Sequence, residues 1–246
     1  MNNATSRVAI ITGASRGIGA AIARRLAHDG YTVIVNYSRQ QQEADALVSQ
    51  IAQAGGHALS AQGDVSDPAT FTTLFDRAEE AFGGVDILVN NAGIMNLSTL
   101  ADSDDALFDR QIAINLKGTF NGLREAARRL RTGGSIVNFS TSVVGLRLET
   151  YGVYAATKAA VETLTAILAK ELRGRAINVN AVAPGPTGTD LFLKGKPQEV
   201  VDRMAKMAPL ERLGTPEDIA AVVAFLVGAD GAWINGQVLR ANGGLI

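Results

Sequence analysis

Short apolar runs alternate with longer segments of helical period along almost the whole of this 246-residue chain. The runs predict strands at Val8–Thr12, Thr32–Asn36, His57–Gln62, Val85–Asn90, Gly134–Ser140 and Ala176–Ala181, with a short last one at Gln237–Arg240. Between them the period predicts helices over Ile18–His28, Gln41–Ala54, Pro68–Phe82, Asp104–Arg131, Tyr151–Leu172 and Pro216–Val227. This rhythm leaves little choice of architecture. It predicts an α/β fold, a single Rossmann-type doubly wound parallel sheet of about seven strands with helices on both faces. Ligands on such sheets bind at the carboxyl ends of the strands, where the strand order reverses.

Composition narrows the function. The chain is 47% hydrophobic, enough for one sizeable core, and no linker, repeat or low-complexity tract divides it. One domain over residues 1–246 is expected. The net charge of −1 gives no electrostatic case for nucleic acid or an anionic membrane. With no cysteine there is no disulfide, thiolate metal site or cysteine nucleophile. The only histidines are His28 and His57, too few for a multi-histidine zinc site, and no metal is expected. No uncharged apolar stretch reaches membrane-spanning length. Met1–Arg7 leads into an apolar run too short for a signal-peptide core, so a cytoplasmic protein is expected.

Two motifs carry chemistry. The first strand runs into Gly13-Ala14-Ser15-Arg16-Gly17-Ile18-Gly19, which opens a helix. Gly13 permits a tight turn, Gly17 lets the backbone approach a pyrophosphate, and Gly19 allows close helix–strand packing. The free N–H groups of the helix start then face the phosphates. Far downstream stands Tyr154-Ala-Ala-Thr-Lys158. A Tyr and a Lys four apart on a helix share one face. An ammonium beside a phenol favours the phenolate and lowers its pKa, so the pair suits proton exchange with an alcohol or carbonyl oxygen. A dinucleotide and a proton donor together point to hydride transfer.

The glycine spacing resembles that of the short-chain dehydrogenase/reductase family. More of that pattern follows in order: Asp64-Val65, Asn90-Asn91-Ala92-Gly93, Asn115, Ser140-Thr141-Ser142, Tyr154 with Lys158, and Pro184-Gly185. The resemblance extends from Val8 to about Gly244 and lies nearest 3-oxoacyl-carrier-protein reductase-like members. It implies that Asp64 and Val65 hold an adenine, that Asn91, Ala92 and Gly93 line the cofactor, and that Pro184, Gly185, Thr187 and Thr189 wrap the nicotinamide. Tyr154 is then the acid in reduction, Lys158 lowers its pKa and bonds the nicotinamide ribose, and Asn115 holds a relay water. A serine binds the substrate oxygen. Its place is ambiguous. A gapless count from Gly134, and thirteen residues back from Tyr154, both reach Thr141, whereas the Ser-Val-Val-Gly signature marks Ser142. Successive strand side chains point to opposite faces, so both cannot face the substrate. The signature favours Ser142.

The nicotinamide can be argued from charge. An NAD enzyme wants a carboxylate after the second strand for the ribose 2′-hydroxyl. Here that strand ends Asn36-Tyr37-Ser38-Arg39, with no acid. Arg16, Ser38 and Arg39 suit a 2′-phosphate, and Asn36 stands at the same edge. NADP(H) is the expected cofactor. Arg16 also matches a basic position of NADP-preferring family members.

Other residues are weaker signals. His28 complements a helix C-terminus, and Trp233 reads as core near a subunit contact. Arg128, Arg129 and Arg131 read as a solvated basic face. Arg175 falls where carrier-protein-binding members place an arginine, but reads first as a surface charge. Residues 190–208, rich in Leu and Met, read as a substrate lid, and Leu148, Tyr151, Met95 and Phe192 as an apolar mouth. The partner is then a small carbonyl or alcohol, with a carrier-bound 3-oxoacyl group and a catalytically silent NADP-binding scaffold as the alternatives. Apolar Val161, Leu164, Ile167 and Leu168, and the tail from Gly231 to Leu239, predict a homotetramer.

Overall fold

The computed structural model describes residues 6–246; the first five residues, where the leader reading falls, lie outside the described residues. Seven parallel strands form one sheet in the order β3-β2-β1-β4-β5-β6-β7. They are β1 (Val8–Ile11), β2 (Thr32–Tyr37), β3 (His57–Gln62), β4 (Ile87–Asn90), β5 (Ser135–Phe139), β6 (Asn178–Pro184) and β7 (Val238–Ala241). The order reverses between β1 and β4, which opens a crevice at their carboxyl ends.

The central strands are apolar at nearly every position because both faces are covered. Alternation divides their side chains between two cores. Ala9, Ile11, Val33, Val35, Ile87, Val89 and Val137 enter the layer formed with α1 (Gly17–His28), α2 (Gln41–Gln53) and α10 (Pro216–Val227). Val8, Ile10, Ile34, Leu88 and Ile136 enter the opposite one, against α3 (Pro68–Phe82), α5 (Gly118–Arg129) and α7 (Gly152–Glu171). α3 starts at Pro68 with Asp67 capping Ala69 N, and α10 opens with a full capping box between Thr215 and Asp218.

Several expected boundaries move. The predicted helix over residues 104–131 is three pieces: α4 (Asp105–Gln111), a π-helical turn Ile112–Lys117 and α5. The sixth strand starts two residues later than predicted and runs on to Pro184, because Ala176 turns through a left-handed conformation (φ 50°) before it. The expected lid, 190–208, contains α8 (Asp190–Leu193) and α9 (Gln198–Met207), and a short α6 (Val143–Leu146) follows β5. Trp233 is 99% exposed rather than core. Val161 and Leu168 of α7 are buried within the subunit, whereas Ile167 faces out. The apolar stripe predicted as one contact surface is therefore split between the two sides of its helix.

Candidate active site

Two adjoining cavities occupy the crevice. The larger, about 470 Å³, runs along the glycine loop. Gly13 (φ 61°) sits where a side chain would come within 3.0 Å of Ala92 Cα, and a side chain at Gly19 would meet Gly13 O at 2.5 Å. Both positions exclude a Cβ, and their absence brings the β1 and β4 loops together. Arg16 precedes α1 without any side-chain cap, so the first N–H groups of that helix remain free to face the cleft. Gly13, Ser15, Arg16, Gly17, Ile18, Gly19, Asn36, Ser38, Arg39, Asp64, Val65, Asn91, Ala92, Gly93 and Thr189 all border it. Free helix-start amides next to two guanidinium groups suit a dinucleotide carrying an extra phosphate.

Several of these residues hold the cleft rather than project into it. The Asn36 Oδ1 accepts from Gly13 N (3.3 Å), and its Nδ2 donates to the carbonyls of Ala61 and Gly63 (both 3.2 Å). Asn36 thus borders the cleft with its amide engaged by the loops around it. Asn91 Nδ2 similarly donates to Thr12 O and Gly13 O (2.8 and 3.1 Å). Asp64 accepts from the Ser66 hydroxyl and amide, which hold its pKa below the usual carboxylate value, with Arg110 and Arg39 adding to the effect.

The smaller cavity, about 130 Å³, abuts the first across Ile18, Gly93 and Thr189. Its walls are mostly apolar, with Met95, Leu148, Tyr151, Phe192, Met204 and Leu245 among them. Pro184, Gly185 and Thr187 border it, and so do Thr141, Ser142, Tyr154 and Lys158. Burial pushes the Tyr154 phenol up to about 12, with a hydrogen bond to Thr141 pulling the other way. Lys158 Nζ donates to Phe139 O at 2.8 Å and lies 6.0 Å from the Tyr154 ring centroid. Its own burial lowers the ammonium to about 8. Desolvation of the phenol therefore sets the direction of its shift.

The hydroxyls at the end of β5 take different partners. Ser140 Oγ donates to Glu162 (2.6 Å). Ser142 Oγ donates to Ala183 O (3.1 Å) and accepts from Asn242 Nδ2 (3.0 Å). Thr141 Oγ1 accepts from Val143 N (3.3 Å) and stands beside the Tyr154 phenol, and Thr141, Ser142 and Tyr154 all line the smaller cavity. Ser142, the favoured hydroxyl, is thus engaged by two partners, and Thr141 stands beside the acid.

Asn115 lies in the π-helical turn, fully buried. Its Oδ1 accepts from Ile94 N (2.8 Å), and its Nδ2 donates to Ile94 O (2.9 Å) and Thr157 Oγ1 (3.3 Å). A Cβ at Gly93 would lie 3.3 Å from that oxygen and 3.5 Å from Lys158 Nζ. The turn thus brings Asn115 beside the lysine, a common use of π-helical geometry.

A family model described as Enoyl-(Acyl carrier protein) reductase matches residues 13–246. A short-chain type dehydrogenase/reductase of Picea abies is 46% identical over 250 residues, covering 98% of this chain and 92% of that protein. An NADPH-dependent aldehyde reductase 2, chloroplastic, of Arabidopsis thaliana is also 46% identical, over 98% of this chain and 94% of its own. The crystal structure of a short chain dehydrogenase from Burkholderia cenocepacia in complex with NADP superposes with a TM-score of 0.92 at 38% identity, over 99% of each chain. The chain belongs to the short-chain dehydrogenase/reductase family. It shares that oxidoreductase family's sheet and crevice.

Sequence reasoning missed Arg110 and Tyr37, which border the larger cleft. Neither follows a recognisable motif, and Arg110 reaches the cleft from α4. It also missed Asp190, whose carboxylate meets Arg16 at 3.5 Å. Both partners are well exposed, and pairs of that kind contribute little. Among the described residues, no group of three or more His, Cys, Asp or Glu could hold a metal ion, and no helix is long and apolar enough to cross a membrane.

Proposed function

We propose that this chain is an NADP(H)-dependent reductase of small, uncharged aldehydes or ketones. The observation that carries the reading is an apolar pocket lined by Tyr154, Lys158 and the Thr141 hydroxyl that opens directly onto the dinucleotide cleft. Bound NADPH supplies the hydride. Tyr154, protonated through the neutral range, gives its proton to the substrate oxygen, and the Thr141 hydroxyl donates to the same oxygen as charge develops on it. Lys158 and Asn115 hold the nicotinamide side of the site. Residues 190–208 close the pocket as a lid on a single catalytic domain. The cofactor reading agrees with the NADPH-dependent relative and the NADP-bound neighbour, and the location we infer is cytoplasmic.

A carrier-protein-linked substrate is the weaker reading. Arg129 is bound by Asp76, Glu79 and Glu125, Arg131 pairs with Asp86, and Arg175 donates to the carbonyls of Ala127 and Leu130. These cations are committed within the chain and make a poor landing surface for an acidic partner. The silent-scaffold reading is weaker still, since Tyr154, Lys158 and Asn115 converge on one site.

A spectrophotometric NADPH-oxidation screen over aliphatic and aryl aldehydes and ketones tests the activity; no turnover with any of them would defeat it. For the cofactor, replacing Arg16 and Arg39 by Ala should lower the NADPH-over-NADH ratio of kcat/KM by about tenfold or more, since hydrogen bonds to charged groups contribute about 1.5–3 kcal/mol. An unchanged ratio would show that neither guanidinium reads the 2′-phosphate.

We further propose a homotetramer. Phe120 and Ile167 are exposed on the adjacent helices α5 and α7, and Phe225 and Trp233 are exposed on and after α10. Two separate self-complementary patches build a dihedral tetramer. Light scattering should give the mass of four chains, and a stable monomer at micromolar concentration would be incompatible with this.

A further inference from the structure

The wall of the smaller cavity nearest β4 is an extended segment without regular structure, running from Asn91 to Thr99. Backbone N–H groups in such a segment need partners from elsewhere. Alternate amides find them on one side. Ile94 N donates to Asn115 Oδ1, Asn96 N to Gln111 Oε1 (3.2 Å) and Ser98 N to Thr150 O (3.0 Å). Gln111 and Asn115 stand four apart, one at the end of α4 and the other in the π-helical turn. Their two side-chain amides clamp the backbone on both sides of Met95, which lines the cavity.

Asn115 belongs to the site already described; Gln111 does not. It is fully buried, borders neither cavity, and its Nε2 has no hydrogen-bond partner among the described residues. A buried amide with one donor unpaired costs stability. An apolar residue would fill the place more cheaply unless the oxygen is needed, and among the described residues the one hydrogen bond of this side chain is that from Asn96 N.

We propose that Gln111 is a positioning residue for substrate selection: its amide oxygen fixes the segment that carries Met95 into the carbonyl pocket, so that the pocket favours compact, uncharged carbonyls over bulky ones. The selectivity part rests on the carbonyl-reductase reading; the clamp itself does not. Met95 acts directly on the substrate, and Gln111 acts through Met95.

Gln111→Met keeps the side-chain volume and removes the acceptor. Hydrogen exchange should show the Asn96 amide protected in the parent and exchanging at least about tenfold faster in the variant, with the Ile94 amide unchanged. The ratio of kcat/KM for benzaldehyde to that for 2-acetonaphthone should fall about tenfold, within the range a lost apolar wall contact gives. NADPH affinity should stay within about twofold. In a Met95→Ala background the second change should have no further effect on the ratio, because both act at one wall. Asn96→Pro removes the donor instead of the acceptor, and should shift the ratio the same way should Gln111→Met fail to fold. An Asn96 amide that exchanges equally fast in parent and variant overturns the clamp. A folded variant with unchanged selectivity, or additivity with Met95→Ala, overturns the positioning role. A parent that reduces neither carbonyl refutes the proposed function, while hydrogen exchange still decides the clamp.

Discussion

Tyr154→Phe should lower carbonyl reduction by roughly a thousandfold or more, near the upper part of the range for loss of a general acid, with NADPH affinity within about twofold of the parent. The phenyl ring fills the same buried space, so the fold is kept and only the proton is lost. Burial sets the direction of the pH dependence. With the phenol pushed up to about 12, Tyr154 keeps its proton, and stays a competent acid, until the pH approaches that value. Lys158 titrates first: its ammonium, lowered to about 8, is charged below that pH and neutral above it. A decline in reduction as pH rises through about 8 therefore reports Lys158 and not the acid. Tyr151, 6.3 Å away edge-on and also raised by burial, is the alternative donor. Substantial activity in Tyr154→Phe that vanishes on adding Tyr151→Phe would move the acid to that residue.

Thr141→Val should cost about 100- to 1000-fold in kcat, the usual loss when a donor to a developing oxyanion is removed. Valine is nearly isosteric and leaves the β5 end in place. Ser142→Ala should behave differently. It removes the tie between the β5 end, Ala183 O and Asn242, a loss of about 1 kcal/mol. That lowers the melting temperature by a few degrees and leaves kcat within a few-fold. The measurement is kcat for both variants, normalised to folded protein. A larger activity loss for Ser142→Ala than for Thr141→Val would return the substrate oxygen to the serine and refute the orientation of β5 described above.

Much of the scaffold was legible in the residues. The β2 to α3 region matches its expected boundaries almost to the residue, because its apolar runs, Pro68 and the Asp67 cap are local signals. The glycine loop was legible for a similar reason. Gly13 and Gly19 stand where no Cβ fits, and that requirement is written in the chain wherever the loop meets its neighbours. Tyr154 and Lys158 were legible through their spacing on one helix.

What escaped was the partner each polar side chain takes. Asn36 is indistinguishable in sequence from a cofactor-facing residue until β3 pairs beside it and offers the carbonyls of Ala61 and Gly63. Arg129, Arg131 and Arg175 read as free cations until α3 and the ends of neighbouring strands supply their acceptors. The tyrosine pKa could not be signed from the nearby lysine, since the fold decides how much water each group loses. The choice between Thr141 and Ser142 shows the division most plainly. The residues alone place a hydroxyl at the end of β5, twelve or thirteen positions ahead of the acid. Only the register of β5 on β6, with Phe139 opposite Val182, turns Ser142 toward Ala183 and leaves Thr141 for Tyr154. Register is a contact between residues some forty positions apart, and a one-residue slip exchanges the two faces of a strand.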